Sequence, residues 1–144
     1  MPPWVLVGHS YGGLLARLFA QSHPDQTAGV VLVDAMGRSQ TRRLLALWPK
    51  SEQPAQRREQ ATPVRDVVDV AATETLAARV TTLGDTRLAV VTAGRENEDV
   101  RRMTRRVARA IDWNWTTMQD ELAALSSDRV HVVALRSEHV VQHG

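Results

Sequence analysis

The sequence predicts an α/β fold built on a parallel sheet, and three observations carry that reading. Four short runs read as strands: Trp4–Val7 and Gly29–Val33 are continuously apolar rather than alternating, and Leu88–Thr92 and Val130–Leu135 supply the third and fourth. Continuously apolar runs suit parallel strands covered on both faces. Between them the apolar spacing changes to the helical period. Strand, helix and strand also fit within residues 4–33, which makes a βαβ unit with a right-handed crossover. At 144 residues the chain is one domain by length. The expected arrangement is a four-stranded parallel sheet in sequential order with helices on both faces.

The elements follow in order. Leu14, Leu15, Leu18 and Phe19 fall at helical spacing, and Pro24 stops that helix. After Asp34 the texture changes: residues 36–86 are polar, arginine-rich and broken by Pro49, Pro54 and Pro63. Within them Thr41–Trp48 reads as a short helix. Val64–Leu83 reads as a longer one, with Gly84 as its C-cap. Val100, Met103, Val107 and Ile111 make an apolar stripe that predicts a helix over 99–111, with Arg101, Arg102, Arg105, Arg106 and Arg109 off the stripe. Met118, Leu122 and Leu125 share one face of a second helix over Trp113–Leu125.

Composition narrows the function. Hydrophobic content of 43% and charged content of 24% are ordinary for a soluble globular chain. There is no cysteine, which excludes disulfides and thiol chemistry. No apolar run reaches the ~20 residues that span a bilayer, so no membrane partner is expected. Met1-Pro2-Pro3 lacks the basic and apolar regions of a signal peptide, and a cytoplasmic location is the default expectation. The arginine-rich helix raises nucleic-acid binding. A net charge of +2 and the absence of interleaved aromatics argue for a solvated helix face instead, so no nucleic-acid partner is expected.

The chemistry concentrates at Gly8-His9-Ser10-Tyr11-Gly12-Gly13. A buried-type strand precedes this stretch and an amphipathic helix follows it. Small residues two before and two after Ser10 let the chain reverse sharply and lift Oγ above the strand end. The same turn aims the Tyr11 backbone N–H at the place where an oxyanion would form. Trp4–Ala35 resembles the nucleophile-elbow half of an α/β-hydrolase. The similarity continues through Leu83–Gly94 and through Ser137-Glu138-His139-Val140-Val141-Gln142. In that family the nucleophile, an acid and a histidine follow in chain order, each just past a strand end. The resemblance implies a Ser10–Asp34–His139 triad.

His139 follows the last strand by the loop Arg136-Ser137-Glu138, and Ser-x-His matches the family's base position. Asp34 follows Val33 without a spacer, a position some members use for the acid. The other common position follows the next strand, where Gly94-Arg95-Glu96 is succeeded by Asn97; Glu98 and Asp99 remain the alternatives there. His139 and His143 are spaced i, i+4, but no further ligands stand at metal spacing, and no metal or cofactor is expected. His9 lies within the elbow, where relatives commonly carry a histidine beside the nucleophile.

A serine at the elbow points to acyl transfer, which is hydrolysis of a small ester or related acyl substrate. Met36, Trp48, Trp113 and Trp115 are candidates to line an apolar pocket. The resemblance also implies that residues 36–86 are a short helical cap insert. It begins at the elbow strand, where the family has several earlier strands, and only five residues follow His139. The expectation is a truncated domain: a partial α/β-hydrolase fold with its N-terminal strands absent. The loop that supplies the second oxyanion donor and the closing C-terminal helix would then be missing too. Two functions are expected from that. One is a serine hydrolase, its activity impaired by truncation. The other is an inactive remnant serving as an interaction module or needing a complementary N-terminal half. The apolar first strand, left at a sheet edge, is expected to drive self-association.

Overall fold

Four parallel strands lie side by side in the order of the chain, β1 (Trp4–His9), β2 (Thr27–Val33), β3 (Arg87–Ala93) and β4 (Arg129–Ala134). The computed structural model describes residues 3–48, 50–51, 53–54, 69–95 and 98–141. Helix α1 (Gly12–Ser22) joins β1 to β2, and a single 3-10 turn at Pro24–Gln26 follows it. Helices α2 (Gln40–Leu45) and α3 (Val70–Ala77) lie between β2 and β3. The one-turn helix α4 (Glu98–Arg101) and the long helix α5 (Arg105–Ala123) lead into β4. No described helix is long and apolar enough to cross a membrane.

Among the described residues the sheet has one covered face, not two. Sequential strand order accounts for this, because connections that step in the same direction with the usual right-handed crossover return on the same side. Partners in parallel register share a face, so the burial pattern can be followed across the strands. Val30, Leu32, Leu88 and Val90 are at most 2% exposed and pack with Ala16 and Ala20 of α1 and Leu122 and Ala123 of α5. On the opposite face Val7 pairs in register with Val31, Val31 with Ala89, and Ala89 with Val130. There Val5 is 63% exposed, Val7 69%, Val130 54% and Val132 49%. Continuous apolar composition signals strands made for two cover layers; the described residues supply one.

Three helix boundaries differ from expectation. The helix predicted over Val64–Leu83 is described only from Val70 onward, residues 64–68 lying outside the described residues, and it ends at Ala77. Its N-cap is Asp69, whose carboxylate accepts from the Ala72 N–H at 2.8 Å. Its C-cap is Ala78 rather than Gly84. Gly84 instead adopts φ +63° in the turn before β3. Buried Val80 and Leu83 draw the chain out of the helix, and the Leu83 N–H bonds the Leu125 carbonyl. The two helices predicted over 99–111 and 113–125 also divide elsewhere. Extended backbone at Thr104 separates α4 from α5, and α5 runs unbroken through Asp112 and Trp113.

Each of the first three strands passes its hydrogen bonding one residue beyond its own end. Ser10 N–H donates to Val33 O at 3.1 Å, Asp34 N–H to Val91 O at 2.7 Å and Gly94 N–H to Ala134 O at 3.0 Å. The residue just past β1, β2 and β3 is thereby fixed to the neighbouring strand. This is how the sheet carries its precision into the loops.

The open face and the outer edge of β1, which has no strand partner among the described residues, predict self-association. Burying an exposed valine contributes up to about 1.5–3 kcal/mol, and an apolar edge strand recruits another chain. Sedimentation over a concentration series is expected to show a species that grows with concentration. A monomer at every concentration would mean that a segment outside the described residues covers the face.

Candidate active site

Ser10 occupies the turn between β1 and α1 with φ +51°, in the left-handed region. A non-glycine residue there costs of order 1–3 kcal/mol and persists only when its surroundings over-determine it. Here they do. Besides the Ser10 N–H bond to β2, the Ser10 carbonyl accepts from Gly13 N–H at 3.1 Å and from Met36 N–H at 3.0 Å. The glycines divide the work unevenly. A Cβ on Gly8 would meet the Gly12 carbonyl oxygen at 2.5 Å, and a Cβ on Gly13 would strike the Ala35 side chain. A Cβ on Gly12 meets nothing within 4 Å. The expectation that the residue two after Ser10 must be small is therefore corrected: the close approach falls at Gly8 and Gly13, where helix and strand press together.

Asp34 has φ +42° directly past β2, and it is 2% exposed. Its Oδ1 accepts from Ala93 N–H of β3 at 2.8 Å and from the Trp115 indole N–H of α5 at 3.0 Å. Its Oδ2 faces His139 Nδ1 at 2.6 Å. A carboxylate only accepts, so Nδ1 carries the proton and Nε2 is left bare. Ser10 Oγ lies 3.1 Å from that Nε2 and donates to it. Ser10, Asp34 and His139, the three residues named from the sequence, are thus joined in one hydrogen-bonded line at the C-terminal ends of the strands. Asp34 meets His139; the side chains of the alternatives, Glu98 and Asp99, lie outside the described residues.

The loop carrying His139 is pinned from several sides. Ser137 N–H bonds Ala134 O at 3.0 Å, and Arg95 N–H bonds Ser137 O at 3.1 Å. The Arg101 guanidinium pairs with the Glu138 carboxylate at 2.8 Å. His9 donates Nε2–H to the His139 carbonyl at 2.8 Å, its ring 4.7 Å from the His139 ring. His9 therefore packs against the imidazole of the line. The Tyr11 N–H, at the start of α1, has no acceptor among the described residues, and the Tyr11 hydroxyl bonds Thr73 Oγ1 at 2.8 Å. Of the four pocket candidates, Trp113 is 74% exposed, whereas Trp115 donates to Asp34 directly. Its spacing on α5 gave no sign of that role. No cluster of metal-ligating side chains exists among the described residues, and His143 lies outside them.

Arg17 is buried beneath this site. Its Nε donates to Gly13 O at 3.1 Å and an Nη to Met36 O at 2.8 Å. Burial pushes its guanidinium down to about 10, and the nearby Glu74 charge opposes that shift. It stays charged at neutral pH. Arg17 thus ties the elbow helix to the chain leaving β2, while Glu74 accepts from Thr41 N–H at the start of α2.

A parallel sheet with a strained serine turn and a hydroxyl, imidazole and carboxylate line beyond its strand ends defines the α/β-hydrolase class of fold. Residues 2–54, spanning β1, α1, β2 and α2, match the family model for the alpha/beta hydrolase fold. The match covers the elbow strand, the helix after it, the strand beyond and α2, and the remainder of the chain lies outside it. Similar solved structures include an alpha/beta hydrolase enzyme, MGS-MChE2, from the sediment metagenome of the lagoon of Mar Chica, Morocco. It is 14% identical with a TM-score of 0.44, over 90% of this chain and 49% of that one. Another is the N-formylmaleamic acid deformylase from Pseudomonas putida, 13% identical with a TM-score of 0.46, over 98% of this chain and 62% of that one. The chain therefore spans about half to three-fifths of the length of these structures. Nothing among curated proteins matches it.

Two predictions follow from the packing around Ser10. Gly8→Ala and Gly13→Ala are expected to destabilise the fold by about 1–3 kcal/mol through overpacking, whereas Gly12→Ala is expected to be neutral or to stabilise by about 0.4–1 kcal/mol; urea unfolding midpoints rank the three. Arg17→Met is expected to cost about 1–3 kcal/mol by the same measurement, because it removes the side-chain donor to the Gly13 and Met36 carbonyls and the positive charge near Glu74.

Proposed function

We propose that the chain is a serine hydrolase of small esters or related acyl compounds, working through Ser10, His139 and Asp34 with water as co-substrate and no cofactor. The observation that supports this most is the pair of bonds from Ser10 Oγ to His139 Nε2 and from His139 Nδ1 to Asp34, with Asp34 fully buried. In this reading Ser10 Oγ attacks the acyl carbon while its proton passes to Nε2. Asp34 stabilises the imidazolium that forms. The Tyr11 N–H donates to the oxyanion, and its freedom from other acceptors among the described residues suits that task. Collapse of the intermediate breaks the bond to the leaving alcohol, which takes the proton from His139. Water then attacks the acyl-serine by the same route and restores the hydroxyl.

A second line of similar make-up, Thr92 Oγ1 to His131 Nε2 at 2.7 Å and His131 Nδ1 to Asp120 at 3.2 Å, does not compete. Thr92 is buried within β3, has no strained turn and faces the core.

The alternative reading is an inactive hydrolase remnant that serves as an interaction module or completes itself with a separate N-terminal half. The open apolar face of the sheet favours it. A serine-directed phosphonate separates the two. The serine hydrolase is expected to label, and Ser10→Ala and His139→Ala to fall to background. Equal labelling of the native chain and Ser10→Ala would remove Ser10 from the mechanism. No labelling of the native chain would favour the remnant.

A further inference from the structure

The Asp34 carboxylate is oriented by a helix that the predicted line of three residues does not include. Trp115 and Gln119 stand one turn apart on α5, and both reach the end of β2. Trp115 donates its indole N–H to Asp34 Oδ1 at 3.0 Å. Gln119, fully buried, donates Nε2–H to the carbonyl of the next residue, Ala35, at 2.8 Å. Gln119 keeps this bond although its Oε1 has no partner among the described residues. The helix therefore grips Asp34 and Ala35 at two points. The grip falls where the backbone needs it, since Asp34 holds a left-handed conformation that its surroundings must impose.

We propose that Trp115 is the positioning residue of the site: its indole N–H, with the Ala93 N–H, fills Asp34 Oδ1 and reserves Oδ2 for His139. This rests on the reading of Ser10, His139 and Asp34 as catalytic. The indole nitrogen is a donor only, so the bond has one sense and cannot invert with tautomer or rotation. Its partner donor comes from the backbone of β3, so two rigid elements set the plane of the carboxylate between them. The Trp115 ring also stands edge-on to the imidazole, with ring centres 6.2 Å apart and planes at 81°. One side chain thus touches both members of the pair. Core packing does not account for it. Trp115 is only half-buried, while the fully buried positions of α5 nearby are Met118, Gln119 and Leu122.

Trp115→Phe removes the N–H and keeps an aromatic edge beside His139. With the phosphonate probe, the maximal inactivation rate is expected to fall between about tenfold and about a hundredfold, the scale of a small misplacement at a reacting centre. The probe concentration giving half-maximal rate should stay unchanged. Proton NMR reads the same contact without activity. The downfield His139 Nδ1–H signal of the native chain is expected to shift or vanish in Trp115→Phe, and Asp34→Asn is expected to move the assigned Trp115 indole N–H signal. An inactivation rate within about twofold of native, with the imidazole signal in place, would overturn the proposal, as would an indole signal indifferent to Asp34→Asn. If Trp115→Phe loses its amide dispersion, the Asp34→Asn measurement carries the test. Labelling that survives in Ser10→Ala would sink the catalytic reading alone, and the two NMR signals would still report whether Trp115 holds the carboxylate.

Discussion

The Asp34 carboxylate is where the separate parts of this chain have to agree. It is buried, and a buried charge is tolerated only when its hydrogen-bonding capacity is filled. The donors that fill it arrive on three different elements: the backbone of β3, the indole of α5 and the imidazole past β4. The residue's own N–H is spent on β3 as well. A slip in the β2–β3 register, or a rotation of α5, would leave this charge unpaired in the interior. The fold is therefore selected by the site as much as the site is presented by the fold.

The strained residues at the strand ends belong to the same logic. Ser10 and Asp34 both hold positive φ, and both are one residue past a strand, tied by N–H to the strand alongside. Extending the parallel ladder by one residue makes a rigid platform from which the chain can turn abruptly. Arg17 secures the platform from beneath by joining the Gly13 and Met36 carbonyls. The side chains of Ser10 and Asp34 inherit fixed directions from backbone that cannot relax without breaking these bonds.

The one-sided layering follows from chirality. Strands in sequential order with right-handed crossovers place every connecting helix on one face. The structure keeps the sequential order and, among the described residues, covers one face rather than both. The apolar valines of the other face remain, which is why the composition of the strands alone points to a second layer.

Much of this was legible in the chain. Short apolar-rich runs located all four strands, and the glycine turn between a strand and a helix singled out Ser10. The ends of the next and last strands pointed to Asp34 and His139, which the structure brings into line with it. These features are local, written in the period and punctuation of short segments. Other features needed the tertiary structure, because they depend on which surfaces meet. The close approach at Gly13 exists only because Ala35 lies across from it. The helix predicted to end at Gly84 stops earlier because Val80 and Leu83 find the core. His9 contacts a residue far away in sequence, and Trp115 reads as one more aromatic on a helix until α5 is laid against the end of β2. The sequence by itself determined the order of the elements and the candidate site side chains at their ends. Packing decided which face stays open and which donors hold the carboxylate, since the pairing of groups far apart in the chain is fixed only when the layers close.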